Sequence, residues 1–180
     1  MLKRNKAILL DRDGTINPDP GYISNPDDFT LYPEVPELLA RLKQAGYLLV
    51  LVTNQSGVGR GLIKPSNLCL IHRKMQSQLR EHRAEFDRIY VCPHPPGPQN
   101  AATCNCRKPA PGLALKAIRD LKLSPKACYV IGDRLSDVKM AVGAGIPAIL
   151  IANIRPDTDL PCTLVPSLTA AVKHILKSGT

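Results

Sequence analysis

Three short apolar runs, at residues 7–10, 47–52 and 128–131, each stop at polar residues: Asp11-Arg12-Asp13, Thr53-Asn54 and Gly132-Asp133. Runs this short and this apolar read as buried strands. Between them, apolar residues recur at helical spacing: Val35, Leu38, Leu39 and Leu42 before Gly46, then Leu68, Ile71, Met75 and Leu79. The same spacing returns at Ala114, Ala117, Ile118 and Leu121, and at Val138, Ala141 and Val142 before residues 143–145. Further strands are predicted at 88–92, 148–151 and 163–165, with a last helix over Leu168, Ala171, Val172, Ile175 and Leu176 capped by Ser167. This alternation predicts an α/β fold, a Rossmann-like doubly wound parallel sheet, in a single domain over residues 1–180. Ligands of such sheets bind beyond the carboxyl ends of the strands, so three distant segments are expected to converge on one site.

Composition narrows the function classes. At 44% hydrophobic and 22% charged residues, the 180-residue chain can bury a core. Five Tyr, two Phe and no Trp speak against a base-stacking platform for single strands. The longest apolar run, 47–52, is far too short to span a bilayer. The apolar run that ends at Asp11 is only four residues long, short of the apolar core of a secretory signal, so a cytoplasmic location without membrane contact is expected. The 24 Lys and Arg against 15 acids, a net charge of +9, favour an anionic partner. The densest basic stretch, 72–88, also carries Glu81, Glu85 and Asp87 and reads as a solvated helix face, so nucleic acid is not expected.

Asp11-Arg12-Asp13-Gly14-Thr15 puts two carboxylates two residues apart at a strand end. One can attack a phosphoryl group to form an acyl phosphate, and the other can protonate the leaving oxygen and later deprotonate water. Gly14 lets the chain turn away. Two close anions facing a phosphate demand a cation, and Asp133, with Asp137, adds the hard oxygen ligands suited to Mg²⁺. The competing explanation, a calcium loop, fails because Thr15 and Ile16 break its pattern. Thr53-Asn54-Gln55-Ser56-Gly57 offers a hydroxyl and backbone N–H donors for phosphoryl oxygens, although a plain polar turn would look the same. Glycines 57, 59 and 61 match no nucleotide-binding fingerprint.

A second constellation lies in the Pro- and Gly-rich loop 93–111 and at its edge: Cys92-Pro93-His94 and Cys104-Asn105-Cys106. Three thiolates and an imidazole make a closed tetrahedral Zn²⁺ set, and the loop has almost nothing apolar to order it otherwise. A zinc with no open position is structural, and it would hold Arg107 and Lys108 at the active site. Cys69, Cys128 and Cys162 read as buried small apolar residues.

Taken together, Asp11-x-Asp13-Gly14-Thr15, Thr53-Asn54, Lys108 and Gly132-Asp133-x-x-x-Asp137 resemble the four motifs of the haloacid dehalogenase-like phosphatase superfamily. The resemblance implies Asp11 as nucleophile, Asp13 as general acid/base, and Thr53 and Lys108 holding the phosphoryl group. It implies Mg²⁺ on Asp11, the Asp13 carbonyl and Asp133, with Asp137 behind them. The zinc knuckles narrow the likeness to the D-glycero-D-manno-heptose 1,7-bisphosphate 7-phosphatases of bacterial heptose nucleotide synthesis, which supplies lipopolysaccharide core or surface glycans. That branch implies a monomer without a large cap domain. Its sugar bisphosphate would be lined by Asp19, Pro20, Gly21, Tyr22, Asn54, Gln55, Ser56, Arg107 and Arg134, with access set by segments 17–32 and 57–64 and by the zinc loop. Histidinol-phosphate phosphatases share both motif sets and remain the nearest alternative. From another class, a non-catalytic basic zinc module binding nucleic acid is opposed by the intact Asp11, Asp13, Lys108 and Asp133.

Overall fold

Every residue of the first strand, β1 (Ala7–Leu10), is buried, because both of its faces are covered. Ile8 and Leu10 enter one apolar cluster, and Ala7 and Leu9 enter another on the opposite face. The computed structural model describes residues 5–98, 104–154 and 156–178. The tip of the expected zinc loop, 99–103, and residues 1–4 lie outside them.

Among the described residues five more strands join β1: β2 (Leu48–Asn54), β3 (Arg88–Cys92), β4 (Tyr129–Gly132), β5 (Ala148–Ile151) and β6 (Thr163–Val165). All pair in parallel, in the order β3-β2-β1-β4-β5-β6. The helices are α1 (Val35–Gln44), a single turn α2 (Ser56–Gly59), α3 (Pro65–Arg80), α4 (Gly112–Asp120), α5 (Leu135–Ala144) and α6 (Leu168–Ser178). Helices α1, α3 and α6 bury their apolar stripes on one face of the sheet, and α4 and α5 on the other. The expected α/β doubly wound fold is therefore the observed one. Its consequence is positional: β1 pairs β2 on one side and β4 on the other, so the crevice between their carboxyl ends is the switch point where ligands bind.

Ser167 caps α6 as expected, its Oγ accepting from the Ala170 N–H at 3.2 Å. Other details differ from the sequence reading. Strand β2 runs two residues past the expected end, so Thr53 and Asn54 lie inside the sheet opposite Val91 and Cys92. Residues 56–59, expected as loop, wind into α2. Segment 17–32 is exposed at the cavity over 18–22, while Ile23, Phe29 and Leu31 anchor the rest of it in the core. Lys74 Nζ also donates to the Pro26 carbonyl at 2.9 Å, pinning that segment to α3. Of the cysteines outside the cluster, Cys128 is buried, but Cys162 is half-buried and Cys69 exposed. The buried stripe of α3 runs through Leu68, Ile71, Met75 and Leu79, and position 69 falls about 100° away from it. Val142 is 41% exposed for the same reason, the packed residues of α5 being Val138, Met140, Ala141 and Ala144.

His72 on α3 is largely covered, and its Nε2 meets no hydrogen-bond partner among the described residues. Burial, then the Arg12 charge, pushes its imidazole from 6.5 down to about 4. The folded value is depressed, so the stability that neutral His72 protects is complete above 6.5 and is lost as pH falls towards 4. His72→Leu is expected to lose about 2 kcal/mol less unfolding free energy than the wild type between about pH 7.5 and pH 5, measured by urea titration.

Candidate active site

The chain leaves β1 through a tight turn in which Ile16 N–H donates to the Arg12 carbonyl at 2.9 Å and Gly14 N–H to the Asn17 carbonyl at 2.8 Å. Gly14 has φ +82°, and a Cβ there would overlap the Asp133 carboxylate. Glycine is therefore what lets the ends of β1 and β4 approach each other. Asp11 Oδ1 accepts from the Arg12 N–H at 2.7 Å and lies 2.8 Å from Lys108 Nζ.

Lys108 is 3% exposed. Its ammonium also meets Asp137 Oδ1 at 2.6 Å and donates to the Val52 carbonyl at 3.0 Å. Burial works against its charge, but Asp11 and Asp137 hold it above the ordinary lysine value. Asp137 in turn accepts from the Arg134 N–H at 3.2 Å, so it caps the first turn of α5 while gripping Lys108. Burial pushes Asp11 up to about 6, Lys108 pulling it back and Asp137 adding to the rise. Asp133 is raised by burial and then by the Asp11 charge. Asp11, Asp133 and Asp137 bring carboxylate oxygens within 4.8 Å of one another. Hard oxygen donors short of positive charge fit a divalent cation such as Mg²⁺.

The second strand end is tied to the first. Gln55 Nε2 donates to Asp13 Oδ2 at 2.8 Å and to Thr53 Oγ1 at 2.9 Å. Asn54 clasps the Lys108 backbone from both sides, Nδ2 to its carbonyl and Oδ1 from its N–H, each at 3.1 Å. Asn54 also stands opposite Cys92, the first residue of the thiol cluster. There the Cys92, Cys104 and Cys106 Sγ atoms and His94 Nδ1 all fall within 4.8 Å, with Cys104 to Cys106 at 3.0 Å and Cys106 to His94 at 3.3 Å. Burial, with hydrogen bonding from Cys106, pushes the Cys92 thiol up to about 12. Against the opposing effect of burial, hydrogen bonds from Cys106 and neighbouring backbone bring Cys104 down to about 6. Three crowded thiols and an imidazole can hold a tetrahedral ion such as zinc. A Cβ on Gly112 would overlap the Asn105 carbonyl, so the start of α4 is packed directly on this knuckle.

These walls enclose a cavity of about 740 Å³. Its floor holds Asp11, Asp13, Asn54, Gln55 and Lys108, and its rim holds Asp19, Gly21, Tyr22, Ser56, Arg107 and Arg134. Asp19 bridges to Arg134, and the Tyr22 hydroxyl stands 3.5 Å from Ser56 Oγ. Arg107 Nη1 donates to the His94 carbonyl at 3.1 Å. Pro20 is exposed, and neither it nor Thr53 lines the cavity wall. Arg60 and Lys139 also line the wall, and the sequence reading gave Lys139 no place there. The spacing of Ser136 and Lys139 on one face of α5 was the available signal, but only the docked helix shows which face meets the cavity.

A paired carboxylate motif at the switch point of a parallel sheet, backed by a buried lysine, defines a Rossmann-like α/β enzyme with an acidic site at its strand ends. The sequence model of the haloacid dehalogenase-like hydrolases matches residues 19–145, and the chain belongs to that family. It is 40% identical over 157 residues to the D-glycero-β-D-manno-heptose-1,7-bisphosphate 7-phosphatase of Haemophilus influenzae, covering 86% of this chain and 85% of the relative. The enzyme of the same name from Escherichia coli K12 is 38% identical over 162 residues, 88% and 85% of the two chains. The crystal structure of D,D-heptose 1,7-bisphosphate phosphatase from B. bronchiseptica, complexed with magnesium and phosphate, superposes with a TM-score of 0.84 at 32% identity, over 96% of this chain and 99% of that one.

Asn54→Ala would leave both backbone groups of Lys108 without their side-chain partner. It is expected to cost about 1–3 kcal/mol of unfolding free energy by urea titration.

Proposed function

We propose that this chain is a phosphatase that removes the C7 phosphate of D-glycero-β-D-manno-heptose 1,7-bisphosphate by way of an aspartyl-phosphate on Asp11. The observation that carries this reading is the charge arrangement of the cavity. Asp11 and Lys108 meet at its floor, while Arg60, Arg107, Arg134 and Lys139 stand at its rim, more cations than one transferred phosphoryl group requires. The names of relatives 38–43% identical to the chain support the substrate.

In the first step an Asp11 carboxylate oxygen attacks phosphorus while Asp13 gives a proton to the departing sugar oxygen. In the second, Asp13 takes a proton from water as that water attacks phosphorus and the bond to Asp11 breaks. Lys108 stays charged between Asp11 and Asp137 and draws phosphoryl oxygens to the floor. Thr53, wholly buried behind the cavity wall, would act on the phosphoryl site through Gln55, whose amide donates to its Oγ1. Asp11, Asp133 and the Asp13 carbonyl would hold Mg²⁺, with Asp137 behind them, and the ion would offset the charge of phosphate and carboxylates. Cys92, His94, Cys104 and Cys106 would hold a structural Zn²⁺. Around the sugar, Asp19, Pro20, Gly21, Tyr22, Asn54, Gln55, Ser56 and Arg134 would form the substrate's surroundings, with Arg107 taking the C1 phosphate. The chain 1–180 acts in this reading as one domain, a monomer in the cytoplasm without nucleic-acid partners. No described helix is long and apolar enough to cross a membrane.

Phosphate release should show a higher kcat/KM on the heptose bisphosphate than on histidinol phosphate, and the reverse order would overturn the substrate. Arg107→Ala should cost about 1.5–3 kcal/mol in kcat/KM on the bisphosphate and much less on a simple monophosphate. For the thiol cluster, elemental analysis of chelator-free protein should find about one zinc per chain. Cys104→Ser should lower both zinc content and Tm.

A further inference from the structure

Asp13 sits at the cavity floor with its carboxylate gripped on all sides. Arg12 Nε donates to Oδ1 and Arg12 Nη2 to Oδ2, each at 2.9 Å. Asn17 Nδ2 donates to Oδ1 at 2.9 Å, and Gln55 Nε2 to Oδ2 at 2.8 Å. A carboxylate offers about four acceptor positions, and these donors fill them. All three donor residues are themselves buried, Arg12 at 1%, Asn17 at 0% and Gln55 at 4% exposure. The Arg12 guanidinium lies 6.0 Å from the ring centre of Phe29, and its Nη1 meets no acceptor among the described residues. Burying a guanidinium with one group left over is costly, and a packed apolar side chain would serve stability better. The fork therefore calls for a functional reason.

We propose that Arg12 is a positioning residue for proton transfer by Asp13, a role that rests on the phosphatase reading above. Its planar fork fixes the rotamer and plane of the carboxylate by two parallel bonds, which no single-point donor can do. Gln55 is the donor that releases: its amide keeps its bond to Thr53 Oγ1 when its bond to Asp13 opens. The freed position on Oδ2 then carries the proton that passes to the departing ester oxygen as the phosphorus–oxygen bond breaks and the Asp11–phosphorus bond forms. Asp13, again a carboxylate, accepts a proton from the attacking water in the second step.

The test compares an alkyl phosphate, whose leaving oxygen needs a proton, with p-nitrophenyl phosphate, whose leaving group departs as the anion. Because kcat/KM covers only events up to formation of the aspartyl-phosphate, it isolates the donation step. Arg12→Lys keeps the charge and loses the fork. It should lower kcat/KM on the alkyl ester about a hundredfold, mostly through kcat, and on the aryl ester less than about fivefold. In an Asp13→Asn background the same substitution should cost nothing further. Arg12→Gln keeps one N–H donor but neither the charge nor the fork, so it provides the same comparison should Arg12→Lys not fold. It should give the same selective loss. Equal losses on both esters in a folded variant, or a further loss in the Asp13→Asn background, would overturn the role of Arg12. A wild-type enzyme inert towards the heptose bisphosphate as well as both esters would overturn the proposed function instead.

Discussion

The buried ammonium of Lys108 is the contact on which the rest of the site depends. Removing a lysine from water is expensive, and here two carboxylates and a carbonyl, from Asp11, Asp137 and Val52, offset that cost. Those partners come from the end of β1, the first turn of α5 and β2. One charge thus ties three separately built elements together at the sheet's switch point. With any one partner missing, the remaining charges would be buried without balance, so the geometry of the set is enforced by electrostatics rather than by shape alone.

Lys108 stands on a loop, and loops position side chains poorly unless something rigid holds the backbone. Two features do so here. Asn54, fixed inside β2, clasps the backbone of Lys108 from both sides. The thiol and imidazole cluster gathers residues 92–94 and 104–106 on the other side, and Gly112 lets α4 pack directly against it. The apolar core ends at the strand tips, so hydrogen bonds and the cysteine cluster carry the order outward to the cavity.

Much of this was legible from residue order. The strands and their helices were readable because a strand buried on both faces must be apolar throughout, while a helix docked on one face repeats near 3.6. Asp11, Thr53 and Asp133 stood out because polar residues directly after such runs lie at the sheet's carboxyl edge. Cys92, His94, Cys104 and Cys106 stood out by spacing. Less legible was anything that depends on rotation about a helix or on the far side of a turn. Cys69 was expected inside and faces solvent, and Val142 likewise. Arg12 carries no assigned role in Asp11-x-Asp13, yet it is among the most buried side chains of the molecule.

The sequence by itself determined the parallel α/β architecture, the strand ends that carry the carboxylates and the four members of the Cys/His cluster. Each of these follows from local pattern, that is from periodicity, from spacing, or from a polar residue ending an apolar run. Only the tertiary structure decided which groups pair. It joined Lys108 to Asp137, aimed four donors at Asp13, and turned Lys139 on α5 towards the cavity. Partnerships such as Lys108 with Asp137 and Gln55 with Asp13 join residues tens of positions apart whose contacts exist only after the sheet has closed its crossovers. A charge buried by folding must then take whatever partner the packed backbone brings within reach.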